Sequence, residues 1–236
     1  VARSTLSWPG RPELLRAAGR TAHIQGNLPL AQQHIEAALA QLIDQPPNLT
    51  TARCHQLLGQ IFGDQGMSID ALEQYEAACA LFERLGDRAG LFSMYMTRCA
   101  IAMGTGQLSE ARDFGEQALS LARERRQRTW LGDAWQYLGE VARRAGQYTE
   151  AETFYRRALS VSQSTGWVGG IQLNRMNIAL VALERAAYDE AAQISTEVAA
   201  ALESSGKRLL ENLVLAIEMG VAVGRGEQER AAELLC

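Results

Sequence analysis

His23, His34 and His55 are the only histidines in the chain, and their spacing matches neither a metal-ligand set nor a base paired with a nucleophile. No HExxH, no phosphate-cradling GxxxxGK[ST] and no GxSxG occurs. Gly104-Thr105-Gly106 and Gly224-Arg225-Gly226 are glycine-rich, but no strand precedes them and they read as turns. Cys54, Cys79, Cys99 and Cys236 form no CxxC pair and have no zinc-like spacing, so free thiols are expected. Glu110, Glu150 and Glu190 recur at one spacing at the starts of predicted helices, where an acid suits the positive helix end; a catalytic carboxylate pair is the alternative reading. These residues predict a protein that is not an enzyme and that carries no cofactor and no metal.

Whole-chain charge narrows the partners. The formal net charge is −4, with no general attraction for nucleic acid or anionic lipid. One segment departs from this, Arg123-Glu124-Arg125-Arg126-Gln127-Arg128. It is either an anion-binding patch or a solvated helix end whose cations complement the C-terminal dipole. Asn48-Leu49-Thr50 has the form of a glycosylation acceptor, with nothing else to support secretion. No long apolar run and no signal-like start is present, and with free thiols this predicts a cytoplasmic location without membrane or nucleic-acid binding.

The elements that would position any binding residue follow a period of forty residues. Ala recurs at Ala31, Ala71, Ala111, Ala151, Ala191 and Ala231, and Gly at Gly26, Gly66, Gly106, Gly146 and Gly226, with Ala186 the one substitute. In the second unit a helix predicted over about Thr51–Asp64 places His55, Leu58, Gly59 and Phe62 on one face. Gly66 then turns the chain, and a second helix from about Ser68 carries Ala71, Leu72, Tyr75, Ala78 and Cys79 inward. So short a turn makes the two helices antiparallel. Gly19, Gly59, Cys99, Gly139 and Ala179 form a small-residue column facing the alanines, which lets the backbones approach. The column Pro29, Ile69, Ser109, Thr149, Asp189 and Glu229 is read as helix starts, with hydroxyl caps and first-turn acids. The fold expected is all-α, a right-handed superhelical α-solenoid of antiparallel helix pairs. Residues 1–11 are a lead-in or linker. The array spans 12–236 in units of about 12–48, 49–87, 88–127, 128–167, 168–207 and 208–236. The last unit is incomplete, so the natural protein is expected to continue past Cys236, and its uncovered end could self-associate.

Trp135-x2-Leu138-Gly139, Gly146, Ala151-x3-Tyr155 and Ala158-Leu159 resemble the signature of the tetratricopeptide repeat (TPR) family, and the second unit agrees at Leu58, Gly59, Phe62, Gly66, Ala71, Tyr75 and Ala78. Ala22, Ala102 and Ala182 stand where Phe62 does, a departure from the pattern. The forty-residue unit is also longer than the family's usual thirty-four. It is similar to the long units of MalT-like regulators, of bacterial signalling ATPases and kinases, of peptide-pheromone receptors and of LGN-type scaffolds.

The resemblance implies a groove lined by one stripe of each first helix. In unit two that stripe is Arg53, Gln56, Gln60 and Asp64, and in unit three it includes Met96 and Met103. Unit four contributes Asp133, Gln136, Glu140, Arg143 and Arg144, and unit five Met176 and Asn177. Polarizable thioethers suit an apolar helix or peptide, although packing between helices is an equal reading of the unit-five residues. The implied function is a protein- or peptide-binding scaffold, a segment of a larger signalling or regulatory protein. The alternative is an effector-sensing or autoregulatory segment of a multidomain transcriptional regulator, kinase or signal-transduction ATPase.

Overall fold

The computed structural model describes residues 11–205 and 210–234. The lead-in up to residue 10, Cys236 and the break expected at Gly206 lie outside the described residues. Every regular element among the described residues is helical, and the chain packs as two compact units, Val1–Met94 and Tyr95–Cys236.

The first unit holds α1 (Pro12–Ile24), α2 (Leu28–Leu42), α3 (Leu49–Asp64), α4 (Ser68–Leu85) and the first half of α5 (Arg88–Gly104). Helices α1 and α2 pair, as do α3 and α4, and α2 and α1 both touch α3. A core of Leu15, Ala22, Ile35, Ala38, Cys54, Leu57 and Ile61 fills the space between them.

The second unit runs from the rest of α5 through α6 (Leu108–Glu124), α7 (Arg128–Arg144), α8 (Tyr148–Thr165), α9 (Val168–Glu184), α10 (Tyr188–Ser205), α11 (Glu211–Arg225) and the short α12 (Gln228–Glu233). Each helix contacts the next, from α6 through α12, and α9 also meets α11. One repeat thus seals its apolar face on its neighbour.

Small residues set the spacing as their column predicts. Ala31, Ala111, Ala151 and Ala191 are wholly buried, and so are Ala38, Ala78, Ala118, Ala158 and Val198 seven residues further on. A Cβ added at Gly139 would lie 2.7 Å from the Tyr155 ring, and one at Gly59 2.6 Å from Tyr75. Glycine is therefore needed there for close approach and not for its backbone freedom.

The turns need glycine for the other reason. Gly66 has φ +79°; its N–H donates to the Gly63 carbonyl and the Met67 N–H to that of Phe62. This is the paired bonding that closes a helix through a left-handed residue. The same bonds recur at Ala186 (φ +58°) and at Arg126 (φ +51°), two residues that lack glycine's tolerance.

The helix-start column holds at Pro29, Asp189 and Glu229, which lie in first turns, but its hydroxyls are not caps. Ile69, Ser109 and Thr149 are second residues of their helices, and α4, α6 and α8 have no side-chain cap. The left-handed turn leads directly into the next helix, so the N-cap position falls on Met67, Gln107 and Gln147. Asn48 is a true cap, its Oδ1 accepting from the N–H groups of Thr50 at 2.9 Å and Thr51 at 3.1 Å.

Candidate functional site

In the first unit the predicted stripe lies along α3. Arg53 is exposed and reaches Asp87 at 4.0 Å. Gln56 Nε2 donates to Ser93 Oγ at 2.9 Å, Gln60 is half-buried, and Asp64 pairs with His23 Nε2 at 2.7 Å. His55 is held by Gln74 at 2.8 Å across its own helix pair.

In the second unit the stripe runs over α5, α7 and α9, and its polar part centres on Glu140. Arg143 donates to this carboxylate through Nε at 3.0 Å and Nη2 at 2.8 Å, a bidentate grip. Its Nη1 is spent on Glu184. Arg144 Nε donates to Glu140 at 2.6 Å, and Arg144 Nη1 reaches the Met103 carbonyl at 3.3 Å. From behind, Tyr155 Oη donates to Glu140 at 3.0 Å. Tyr155 is wholly buried, and Gly139 gives its ring the room to lie under α7. Burial pushes the Glu140 carboxyl up, but hydrogen bonds from Arg143, Arg144 and Tyr155 and the charge of Arg143 outweigh it, holding the pKa below its ordinary value. The hydrogen bond to Glu140 likewise raises Arg143, and burial raises the Tyr155 phenol.

Sequence reasoning put Glu140, Arg143 and Arg144 on one stripe, and hydrogen bonds join the three. It missed Glu184 and the support from Tyr155. The forty-residue frame could have found Glu184, which shares a column with Asp64 and Arg144. Three cross-helix contacts follow one offset of forty-one residues, His23 to Asp64, Met103 to Arg144 and Arg143 to Glu184. Each joins the last turn of one first helix to that of the next.

Asp133 and Gln136 are half-buried on α7, and Asn177 is half-buried on α9. Burial raises the pKa of Asp133. The thioethers are less available than their column suggested. Met176 is fully buried, part of the core with Ala179, Val198 and Ile217, so its place as a surface contact is corrected to packing between helices. Met96 and Met103 retain 9% exposure each, and Met103 packs with Cys99, Phe114 and Val141. On α9 the stripe also carries Leu173, Leu180 and Leu183, all half-buried, with Leu180 and Leu183 packed along the edge of the core that holds Met176.

Outside the stripe, a cleft of about 440 Å³ at the α7–α8 turn is lined by Gly146, Gln147, Tyr148, Thr149, Glu150 and Arg185. Its charges are already used, Glu150 by Arg112 at 2.7 Å and Arg185 by Glu152 at 2.9 Å. Arg123, Arg125, Arg126 and Arg128 are exposed around the end of α6 and the start of α7. Among the described residues no helix is long and apolar enough to cross a membrane, and no three His, Cys, Asp or Glu side chains gather as a metal site.

Stacked antiparallel helix pairs with a polar stripe on their first helices define a helical-repeat scaffold. The chain belongs to the tetratricopeptide repeat family, whose model matches residues 11–84 and 90–164, well over half of it. By sequence no curated protein is a significant match. Among solved structures, the apo form of RapI is similar with a TM-score of 0.82 at 10% identity, over 94% of this chain and 81% of that one. A signal transduction ATPase with numerous domains and a TPR sensor, from Pyrococcus horikoshii, gives 0.80 at 14% identity, over 94% of this chain and 34% of that one. A Rap protein in complex with Competence and Sporulation Factor gives 0.71 at 13% identity, over 94% of this chain and 62% of that one. At such identities the likeness establishes the fold, and this chain spans only part of the last two proteins.

Proposed function

We propose that this chain is a non-catalytic polypeptide-binding module of a cytoplasmic signalling or regulatory protein, and that the α5–α7–α9 stripe is its working face. The observation that carries this is the contrast between columns. The core columns hold small or apolar residues in every unit, whereas the stripe changes from thioether to charged to aliphatic. Glu140, Arg143 and Arg144 are held by one another's hydrogen bonds, as preorganised recognition requires. The half-buried leucines share α9 with Asn177, an arrangement in which burial supplies affinity and unpaired polar groups supply specificity.

A second reading has one observation in its favour. The chain resembles the Pyrococcus horikoshii ATPase over only a third of that protein, whose repeat region is called a sensor. In that reading the face meets an effector or a neighbouring domain of its own protein.

The test is a binding comparison on folded variants. Gln136→Ala, Asn177→Ala and Leu180→Glu should each weaken partner binding by about tenfold or more, while Gln163→Lys on the exposed face of α8 leaves it unchanged. Loss of binding in Gln163→Lys together with full binding in the stripe variants would refute the assignment.

A further inference from the structure

The charges of the α5–α7–α9 stripe do not balance. Arg143 and Arg144 stand against Glu140, Glu184 and Asp133, and both cations are committed. Arg143 uses Nε and Nη2 on Glu140 and Nη1 on Glu184; Arg144 uses Nε on Glu140 and Nη1 on the Met103 carbonyl. Asp133, two turns before Glu140 on α7, has no hydrogen bond or ion pair among the described residues and is half-buried. Tyr137 lies one turn further along and packs on the core of Cys99, Met103 and Phe114. A carboxylate withdrawn from water without a partner costs free energy unless a cation meets it.

We propose, resting on the reading of this face as a polypeptide-binding surface, that its ligand presents a lysine or arginine side chain to Asp133, with apolar residues next to it in the ligand lying on Leu173, Leu180 and Leu183. Charge complementarity selects this occupant. A ligand carboxylate would be repelled by Asp133 and would meet an Arg143 that is mostly buried and already paired with two carboxylates. A metal ion would find a single carboxylate where a divalent cation takes several oxygen ligands. Nucleic acid would meet a stripe of net negative charge. The Tyr137 ring beside the carboxylate adds a surface on which the aliphatic stem or the guanidinium plane can lie.

Asp133 is also a poor choice for stability alone. Burial raises its pKa, so the fold accommodates the carboxylate less well than the unfolded chain does. Asp133→Asn keeps the shape and removes that cost. This variant should melt at or above the temperature of the parent chain while binding its ligand less well, a combination that a purely structural residue would not give.

The probe is a phage-displayed library of random dodecapeptides selected on the intact immobilised chain, followed by synthesis of the enriched peptide. The expected result is a lysine or arginine at one fixed position with apolar neighbours. Asp133→Asn, and replacement of that lysine by norleucine, should each lower affinity about tenfold and not add when combined. Raising the salt concentration should weaken the parent pair more than the norleucine pair. Enriched peptides without a fixed cation, or with affinity unaffected by Asp133→Asn, overturn the proposal while leaving the binding face intact if Leu180→Glu abolishes their binding. Peptides insensitive to Leu180→Glu, or no enrichment at all, overturn the face and the cation together.

Discussion

Replacing Gly139 by alanine tests whether close helix approach governs this array. An added Cβ would sit 2.7, 2.8 and 3.1 Å from three carbons of the Tyr155 ring. Contacts below 3.0 Å force a shift, and Tyr155 has little room to yield, being wholly buried and tied to Glu140 by its hydroxyl. Overpacking of this kind costs roughly 1–3 kcal/mol, and a fully enclosed ring belongs in the upper part of that range. Against it, alanine is better than glycine inside a helix by about 1 kcal/mol. The net expectation is a loss of about 1–2 kcal/mol. Gly63→Ala supplies the control, because there the nearest atom is the Tyr75 hydroxyl at 3.9 Å and only the helix term acts. That variant should gain about 0.5–1 kcal/mol, so the two substitutions should differ by about 1.5–3 kcal/mol. Urea unfolding followed by circular dichroism measures the difference. Amide exchange in α7 and α8 should accompany it, since repeat arrays need not unfold in a single step. Equal stability of the two variants would refute the packing role of the glycine column.

The turn geometry predicts that Ala186→Gly stabilises the chain by up to about 1 kcal/mol, because the left-handed conformation penalises a Cβ by more than glycine's extra unfolded-state freedom costs; a drop in melting temperature would contradict the φ of +58°. Arg143→Ala takes this partner from Glu184 and leaves Glu140 with Arg144 and Tyr155 only, and should cost about 2 kcal/mol near neutral pH. Glu140 has a depressed pKa, so its contribution is complete above the ordinary value of 4.5 and is lost as pH falls through the lower folded value. The penalty of Arg143→Ala should therefore shrink in acid, and a penalty independent of pH would show that the pairing contributes little. Burial pushes the Cys54 and Cys99 thiols up to about 11. They should react with a disulfide reagent at pH 8 far more slowly in the folded chain than after denaturation, and stability should decline as pH rises from 9 toward 11.

The fold was legible because each repeat has the same packing problem and answers it with the same residue type. The alanine columns, the turn glycines and even the odd Ala186 can be read from spacing alone, and their burial and left-handed backbone follow. Arg126 shows the limit. It occupies the turn position that glycine holds at Gly86 and Gly166, yet in the sequence it is hidden within a run of arginines. The hydroxyl caps failed for a related reason. A column marks a position in the repeat, and the tight turn puts that position two residues past the cap.

The stripe was harder to read because its chemistry depends on partners as well as on columns. Knowing that Arg143 lies on the stripe does not reveal that three of its donors are consumed, two by a residue one turn away and one by Glu184 on α9. Nor does a methionine column distinguish Met96, at the margin of the core, from Met176 within it. A thioether fills whatever gap the neighbouring helices leave, and those gaps differ between repeats. Pairing reverses the intuition drawn from composition. The arginines, which look like the groove's invitation to an anion, are neutralised in place, and the charge left uncompensated is Asp133. Recognition by a repeat array is set by the residues its own helices leave unpaired, and these become visible only when first helices forty residues apart stand side by side.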